Sequence, residues 1–367
     1  MANRIGPRDG VLIADPAGKV IFQKNARVQR MPASTLKILT TLMSRHYLGN
    51  DFRFVTEFYL DKEKNLKIKG YGDPLLISEV LPGIARAIHA ETDRFHDLIL
   101  DASYYASVII PGVTSSLNPY DSPNGALCVN FNTVNFRRVN GQYASAETQT
   151  PLLPFVTDRI RRSGLRQERI VLSAENDENL LYAGHLFRYF LKKEGIGTQG
   201  HIRTGTVHPD EDRLMYRHIS VFSLDEVMAR LLEYSNNFIA NQLFIQCGIA
   251  AFGPPGNLEK GRKAAALFCK NVLGTEEIEM EEGSGISRNN RISPLQMLKV
   301  LEKFAPHYRL LKHKGREYYK TGSLSGVKCR AGYAETSKGL YPFVILINTP
   351  GKTTDAVMKY ILQELND

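Results

Sequence analysis

Strand-like runs cluster at the two ends of this chain, and helical periodicity fills much of the space between them. Val11 to Ala14 and Val20 to Gln23 are short apolar runs joined by Asp15-Pro16-Ala17-Gly18, a turn-forming set. Near the other end, Tyr318 to Thr321, Val327 to Ala334 and Tyr341 to Asn348 read the same way. Runs this far apart in sequence share a sheet only if the chain returns on itself. The pattern predicts an α+β fold, with one antiparallel sheet built from both termini and flanked by helices.

The helical signals lie between those ends. After Pro32, the residues Leu36, Ile38, Leu39, Leu42 and Met43 form an apolar face at helical spacing, which places Ser34 near a helix N-terminus. Ser223 is the expected cap of a helix through Tyr234, with Leu224, Val227, Met228, Leu231 and Leu232 inward. Further helices are expected over Leu180 to Lys193, Phe238 to Ala251 and Thr353 to Leu365. The stretch 51–205 differs: Phe52 to Leu60 and Leu66 to Lys69 are strand-like, and Pro111-Gly112 and Asn118 to Pro123 break it into loops. Residues 1–50 and 206–367 are therefore expected to form one unit, with 51–205 a β-rich insertion.

Charge and cysteines narrow the setting. Lys and Arg total 47 against 38 Asp and Glu, a net charge of +9. The basic residues are scattered and match no nucleic-acid motif, so no nucleic-acid partner is predicted. An anionic wall polymer, a membrane surface or a simply solvated basic face remain. No apolar stretch is long enough to cross a bilayer. No signal peptide precedes Val11, so the sequence reads either as cytoplasmic or as a mature form. Cys128, Cys247, Cys269 and Cys329 are widely spaced; Cys247 and Cys269 read as buried thiols, with a disulfide left open. His201, His208 and His218 match no metal spacing.

Three short elements carry the chemistry: Ser34-Thr35-Leu36-Lys37, Ser235-Asn236-Asn237 and Lys320-Thr321-Gly322. None is specific alone, since Ser325 to Lys328 repeats the first spacing. Context separates them. Serine needs a base beside it, and Lys37 lies at i+3 on the same helical face. A lysine serves as base when burial and a neighbouring cation, here Lys320, depress its pKa. Ser235 lies at a helix–helix junction, where it can relay a proton, and Asn237 can bind a substrate amide. The alternative for Ser235 and Asn236 is ordinary helix capping. Lys320 and the Thr321 hydroxyl suit a terminal carboxylate on an edge strand, Gly322 permits close approach, and the Ser323 N–H suits an oxyanion beside that of Ser34.

Order and flanking sequence make a resemblance. The three elements, with Glu282-Gly283-Ser284-Gly285-Ile286-Ser287-Arg288, Gly70-Tyr71-Gly72-Asp73-Pro74 and Ser122 to Asn130, resemble the class C low-molecular-mass penicillin-binding proteins, the D-Ala-D-Ala carboxypeptidase/endopeptidase family. Asn236 stands where that family has Asp, and Glu282 where it has Asp. A Tyr234-Ser235-Asn236 register with tyrosine as relay is also readable, but Asn237-Phe238-Ile239-Ala240 continues the carboxypeptidase pattern. The resemblance implies a penicillin-binding/serine β-lactamase-like transpeptidase domain with no cofactor or metal. Its implied partners are a peptidoglycan stem peptide ending in D-Ala-D-Ala and β-lactam antibiotics, which places it in the periplasm or outside the cell. Catalysis would rest on Ser34, Lys37, Ser235, Asn237 and Lys320, and substrate binding on Thr321, Gly322 and Ser323. The rivals are a β-lactamase or esterase on the same scaffold and a non-catalytic peptidoglycan-binding scaffold.

Overall fold

A computed structural model describes residues 5–114 and 116–365. Its largest sheet has six strands in the order Lys312–Lys314, Glu317–Leu324, Val327–Thr336, Gly339–Ile347, Gly10–Ala14 and Val20–Lys24, each pair antiparallel. The two chain ends meet at the centre, where Val11 lies opposite Ile345 and Leu12 opposite Val344. Both faces of this centre are covered, so its strands are apolar throughout rather than alternating. Leu12, Val344 and Leu346 pack with Leu36, Leu39, Met297 and Leu301 of the helical layer. Val11, Ile13, Phe343 and Ile345 face the other way, onto Val357, Met358 and Ile361 of the helix Asp355–Glu364. Leu12 is fully buried, and truncating such a side chain to alanine costs about 2–5 kcal/mol.

The helix Asn237–Phe252 runs through the middle of the molecule. Every residue from Asn237 to Ile249 is buried, which explains an apolar pattern with no polar face. It packs with the helices Lys37–Leu48 and Leu258–Asn271 in one core. The preceding helix, Leu224–Tyr234, starts with the expected cap: Ser223 accepts from the Glu226 N–H, and Glu226 returns the bond to the Ser223 backbone.

The middle of the chain is not simply β-rich. It holds a five-stranded sheet in the order Ile202–Thr204, Leu98–Asp101, Leu66–Gly70, Val55–Leu60 and Arg213–Ile219. Leu98–Asp101 runs parallel to both its neighbours. Parallel pairs need long crossovers, and the helices Leu81–His89 and Glu178–Lys193 supply them. The first was hidden by Pro82-Gly83, although Leu81, Ile84, Ala85 and Ile88 are all buried at helical spacing. The expected boundary at 205 also shifts. Arg213–Ile219 pairs antiparallel with Val55–Leu60, so the chain leaves the insertion's sheet only after Ile219. A smaller sheet, Gln142–Ser145, Thr133–Val139 and Gln167–Val171, completes the insertion.

All four cysteines are free and buried, so no disulfide forms among them.

Candidate active site

Ser34 does not sit in the α-helix itself. Ala33–Leu36 forms a 3-10 turn, and the α-helix begins at Lys37. In a 3-10 turn residues i and i+3 eclipse, which sets the lysine directly over the serine. Lys37 Nζ lies 3.0 Å from Ser34 Oγ. Thr35 Oγ1 donates to Pro32 O at 2.7 Å and so pins the turn.

Lys37 is fully buried. Its Nζ also lies 2.8 Å from Asn237 Oδ1 and 2.7 Å from Ser284 O. These two neighbours can only accept. A neutral lysine amine has two N–H donors and one lone pair. In the neutral form the two acceptors take both donors and the lone pair is left for the Ser34 hydroxyl, whereas an ammonium would donate to all three oxygens. Burial holds the Lys37 pKa well below the usual lysine range, the Lys320 charge pushes it lower, and Glu282 pulls it partly back. Burial and the Lys320 charge both favour the uncharged form, in which the amine can accept the Ser34 proton.

The other two elements converge on the same place. Ser235 ends one helix in a left-handed conformation (φ 54°), and Asn236 caps the next by accepting from the Ile239 N–H at 3.0 Å. This cap accounts for Asn236, since Asn and Asp serve equally well there. The two-residue junction turns the chain so that Ser235 and Asn237 both meet lysines. Asn237 Nδ2 donates to Tyr120 O at 3.2 Å, so both ends of this amide are held within the protein. Lys320 Nζ donates to Ser235 Oγ at 2.7 Å and to Thr321 O at 3.0 Å. Burial, then the nearby Lys312 charge, lower the Lys320 pKa to about 8.

Lys320–Ser323 lie on Glu317–Leu324, which is not formally the edge strand. The short strand Lys312–Lys314 covers it, but pairs only with Glu317, Tyr318 and Tyr319. From Lys320 onward the edge is therefore open. Thr321 and Ser323 are exposed on it. Gly322 lies against the nucleophile turn: a β-carbon there would meet Ser34 N and Pro32 O, both at 2.8 Å. Gly285 is tighter still, with φ +85° and a hypothetical β-carbon 2.0 Å from Ala33 O.

The motifs did not reveal the support beneath Lys37. The Glu282 carboxylate is fully buried. It accepts from the Ser284 N–H and hydroxyl, the N–H groups of Gly285 and Ser287, and Asn290 Nδ2. These bonds fold residues 282–290 into the loop that delivers Ser284 O to Lys37. No spacing rule links a backbone carbonyl at 284 to a lysine at 37; the buried Glu in a Gly-Ser-Gly context is the one available signal. Beside Asn237 a groove of about 500 Å³ opens between the helical part and the insertion, lined by Asn118, Tyr120, Arg169, Tyr234 and Asn236.

The family model of the D-Ala-D-Ala carboxypeptidase 3 (S13) family matches residues 5–314. The chain belongs to the S13 family. This S13 chain is 24% identical to the D-alanyl-D-alanine carboxypeptidase of Actinomadura sp. (strain R39), over 94% of its own length and 78% of that relative's. Its fold matches the crystal structure of penicillin-binding protein 4 from Haemophilus influenzae with a TM-score of 0.79 at 21% identity, covering 96% of this chain and 93% of that one. It also resembles a predatory endopeptidase from Bdellovibrio bacteriovorus, solved acylated by penicillin G, with a TM-score of 0.55 at 14% identity, covering 98% and 91%. The chain is by family a serine-type D-Ala-D-Ala carboxypeptidase with the α+β penicillin-binding fold. No helix among the described residues is long and apolar enough to cross a membrane.

Proposed function

We propose that Ser34 attacks the carbonyl between the last two residues of a peptidoglycan stem peptide ending in D-Ala-D-Ala. Neutral Lys37 takes the Ser34 proton as Oγ bonds to the carbonyl carbon. The Ser34 and Ser323 N–H groups stabilise the oxyanion. Ser34 supports this role because it lies in the first turn of a helix, where N–H groups lack intrahelical acceptors. The C–N bond then breaks, and the proton returns from Lys37 through the Ser235 hydroxyl to the leaving amine. Lys320 and Thr321 hold the leaving residue's carboxylate. Water resolves the acyl ester on Ser34, releasing the shortened peptide and restoring the serine. When the leaving amine belongs to a cross-link, the same steps make the enzyme an endopeptidase. A β-lactam presents a strained amide and a carboxylate in the same places and acylates Ser34. Residues 1–50 and the chain after Ile219 form the catalytic part in this reading, with the stretch between them inserted. Its substrate puts it in the periplasm or outside the cell.

The observation that carries the proposal is the full burial of Lys37 with its Nζ 3.0 Å from Ser34 Oγ and in contact with Asn237 Oδ1 and Ser284 O. Incubation with a fluorescent penicillin, followed by intact and peptide mass spectrometry, tests it. One adduct on the peptide containing Ser34 is expected, absent in Ser34→Ala. No adduct on the folded protein, or one that persists in Ser34→Ala, refutes it.

A further inference from the structure

Two lysine–serine pairs meet in this site, and a third borders it on the open strand edge, where the proposed mechanism gives it no role. Lys37 faces Ser34 at 3.0 Å and Lys320 faces Ser235 at 2.7 Å. The third is Lys328, whose Nζ donates to Ser323 Oγ at 3.2 Å. Lys328 lies directly opposite Ser323 on the neighbouring strand, so the two side chains share a face of the sheet. Lys328 makes no ion pair among the described residues.

The bond fixes the polarity of the serine. A lysine ammonium is a donor only. A hydroxyl whose lone pair takes that N–H has its own proton directed elsewhere, ready to donate. Ser323 is exposed on the open edge of Glu317–Leu324, next to Gly322, which touches the nucleophile turn. A carboxylate held by Lys320 and Thr321 lies along this same edge. Both the directed O–H of Ser323 and the uncompensated charge of Lys328 favour an anion there.

We propose that Lys328 is a positioning residue that turns the Ser323 hydroxyl toward the carboxylate of the leaving residue. It thereby favours substrates whose leaving residue keeps a free α-carboxylate. The inference rests on the proposed use of this cleft by D-Ala-D-Ala peptides. It adds a residue on a different strand from the three motifs, acting through Ser323 rather than on the reacting atoms.

A double-mutant cycle tests it, with steady-state kinetics on a tripeptide ending in D-Ala-D-Ala for wild type, Lys328→Met, Ser323→Ala and the double variant. Lys328→Met is expected to raise KM about fivefold, the upper range for an exposed charged contact, with kcat within about twofold and an unchanged melting temperature. Lys328→Arg restores KM. The double variant is no worse than Ser323→Ala, since Lys328 acts through that hydroxyl. Additive losses, an unchanged KM in Lys328→Met, or a loss confined to kcat overturns the inference. Penicillin labelling of wild-type Ser34 separates the two ideas. If labelling succeeds and the cycle fails, Lys328 alone is misassigned; if labelling fails, the reading of the cleft itself falls.

Discussion

Asn237→Asp isolates the claim that Lys37 works as a neutral base. The change is nearly isosteric and keeps an oxygen where Asn237 Oδ1 now lies, 2.8 Å from Lys37 Nζ. It places a carboxylate against a fully buried amine whose pKa burial and Lys320 hold well below the usual range. An opposite charge at this distance favours the ammonium and moves a pKa by about 1 to 3. The sign follows directly. Acylation needs the uncharged amine, so raising the pKa moves the acid limb of the pH–rate profile upward by the same amount. Below that limb the variant loses about tenfold to thousandfold in acylation rate. Above it, the rate returns to a plateau lowered by about fivefold or less, because the Asn237 Nδ2 bond to Tyr120 O is also lost. The assay is single-turnover acylation by a fluorescent penicillin from about pH 5 to about pH 10, a range in which the penicillin carboxylate stays ionised, so the limb reports the enzyme. A loss of equal size at every pH, with the limb unmoved, would show that Asn237 does not set the state of Lys37, and the lone-pair argument would fall.

Other consequences follow from the same contacts. Glu282→Gln puts an amide against donors that now meet a fully buried carboxylate; a loss of about 2–4 kcal/mol in stability is expected by denaturant unfolding, together with slower acylation because Ser284 O loses its support. Gly322→Ala brings a β-carbon to 2.8 Å from Ser34 N, so acylation should fall more than about tenfold with the circular dichroism spectrum retained. Lys320, with its pKa near 8, is charged below that pH and neutral above it, so KM for a carboxylate-bearing substrate should rise as pH climbs through that value. In Lys312→Met the rise should begin at higher pH, because a neighbouring cation that lowers the Lys320 pKa is gone.

Particular residues show which parts of this protein local rules reach. The apolar runs at the two ends, the Ser223 cap and the helix Leu224–Tyr234 depend on periodicity and on side chains a few positions apart, and such relations are written along the chain. The elements Ser34 to Lys37, Ser235 to Asn237 and Lys320 to Ser323 were likewise readable as candidates from residue type and order. Other features depended on what packs against what. Leu81–His89 carries Pro82 in its first turn, where proline is tolerated, and its apolar face is recognisable only against the sheet that it crosses between parallel strands. Arg213–Ile219 joins the insertion's sheet because Val55–Leu60 offers it an open edge.

Residue types and their order along the chain were enough to pick out candidates for nucleophile, base and carboxylate anchor, and to place both ends of the chain in one sheet. That Lys37 faces two acceptors and one hydroxyl follows from packing alone, since one acceptor is a backbone carbonyl that carries no residue identity. Packing likewise sets Glu282 beneath the loop presenting that carbonyl, and Lys328 opposite Ser323. Residue type fixes what a group can donate or accept; the state it adopts depends on distances set by segments far away in the chain.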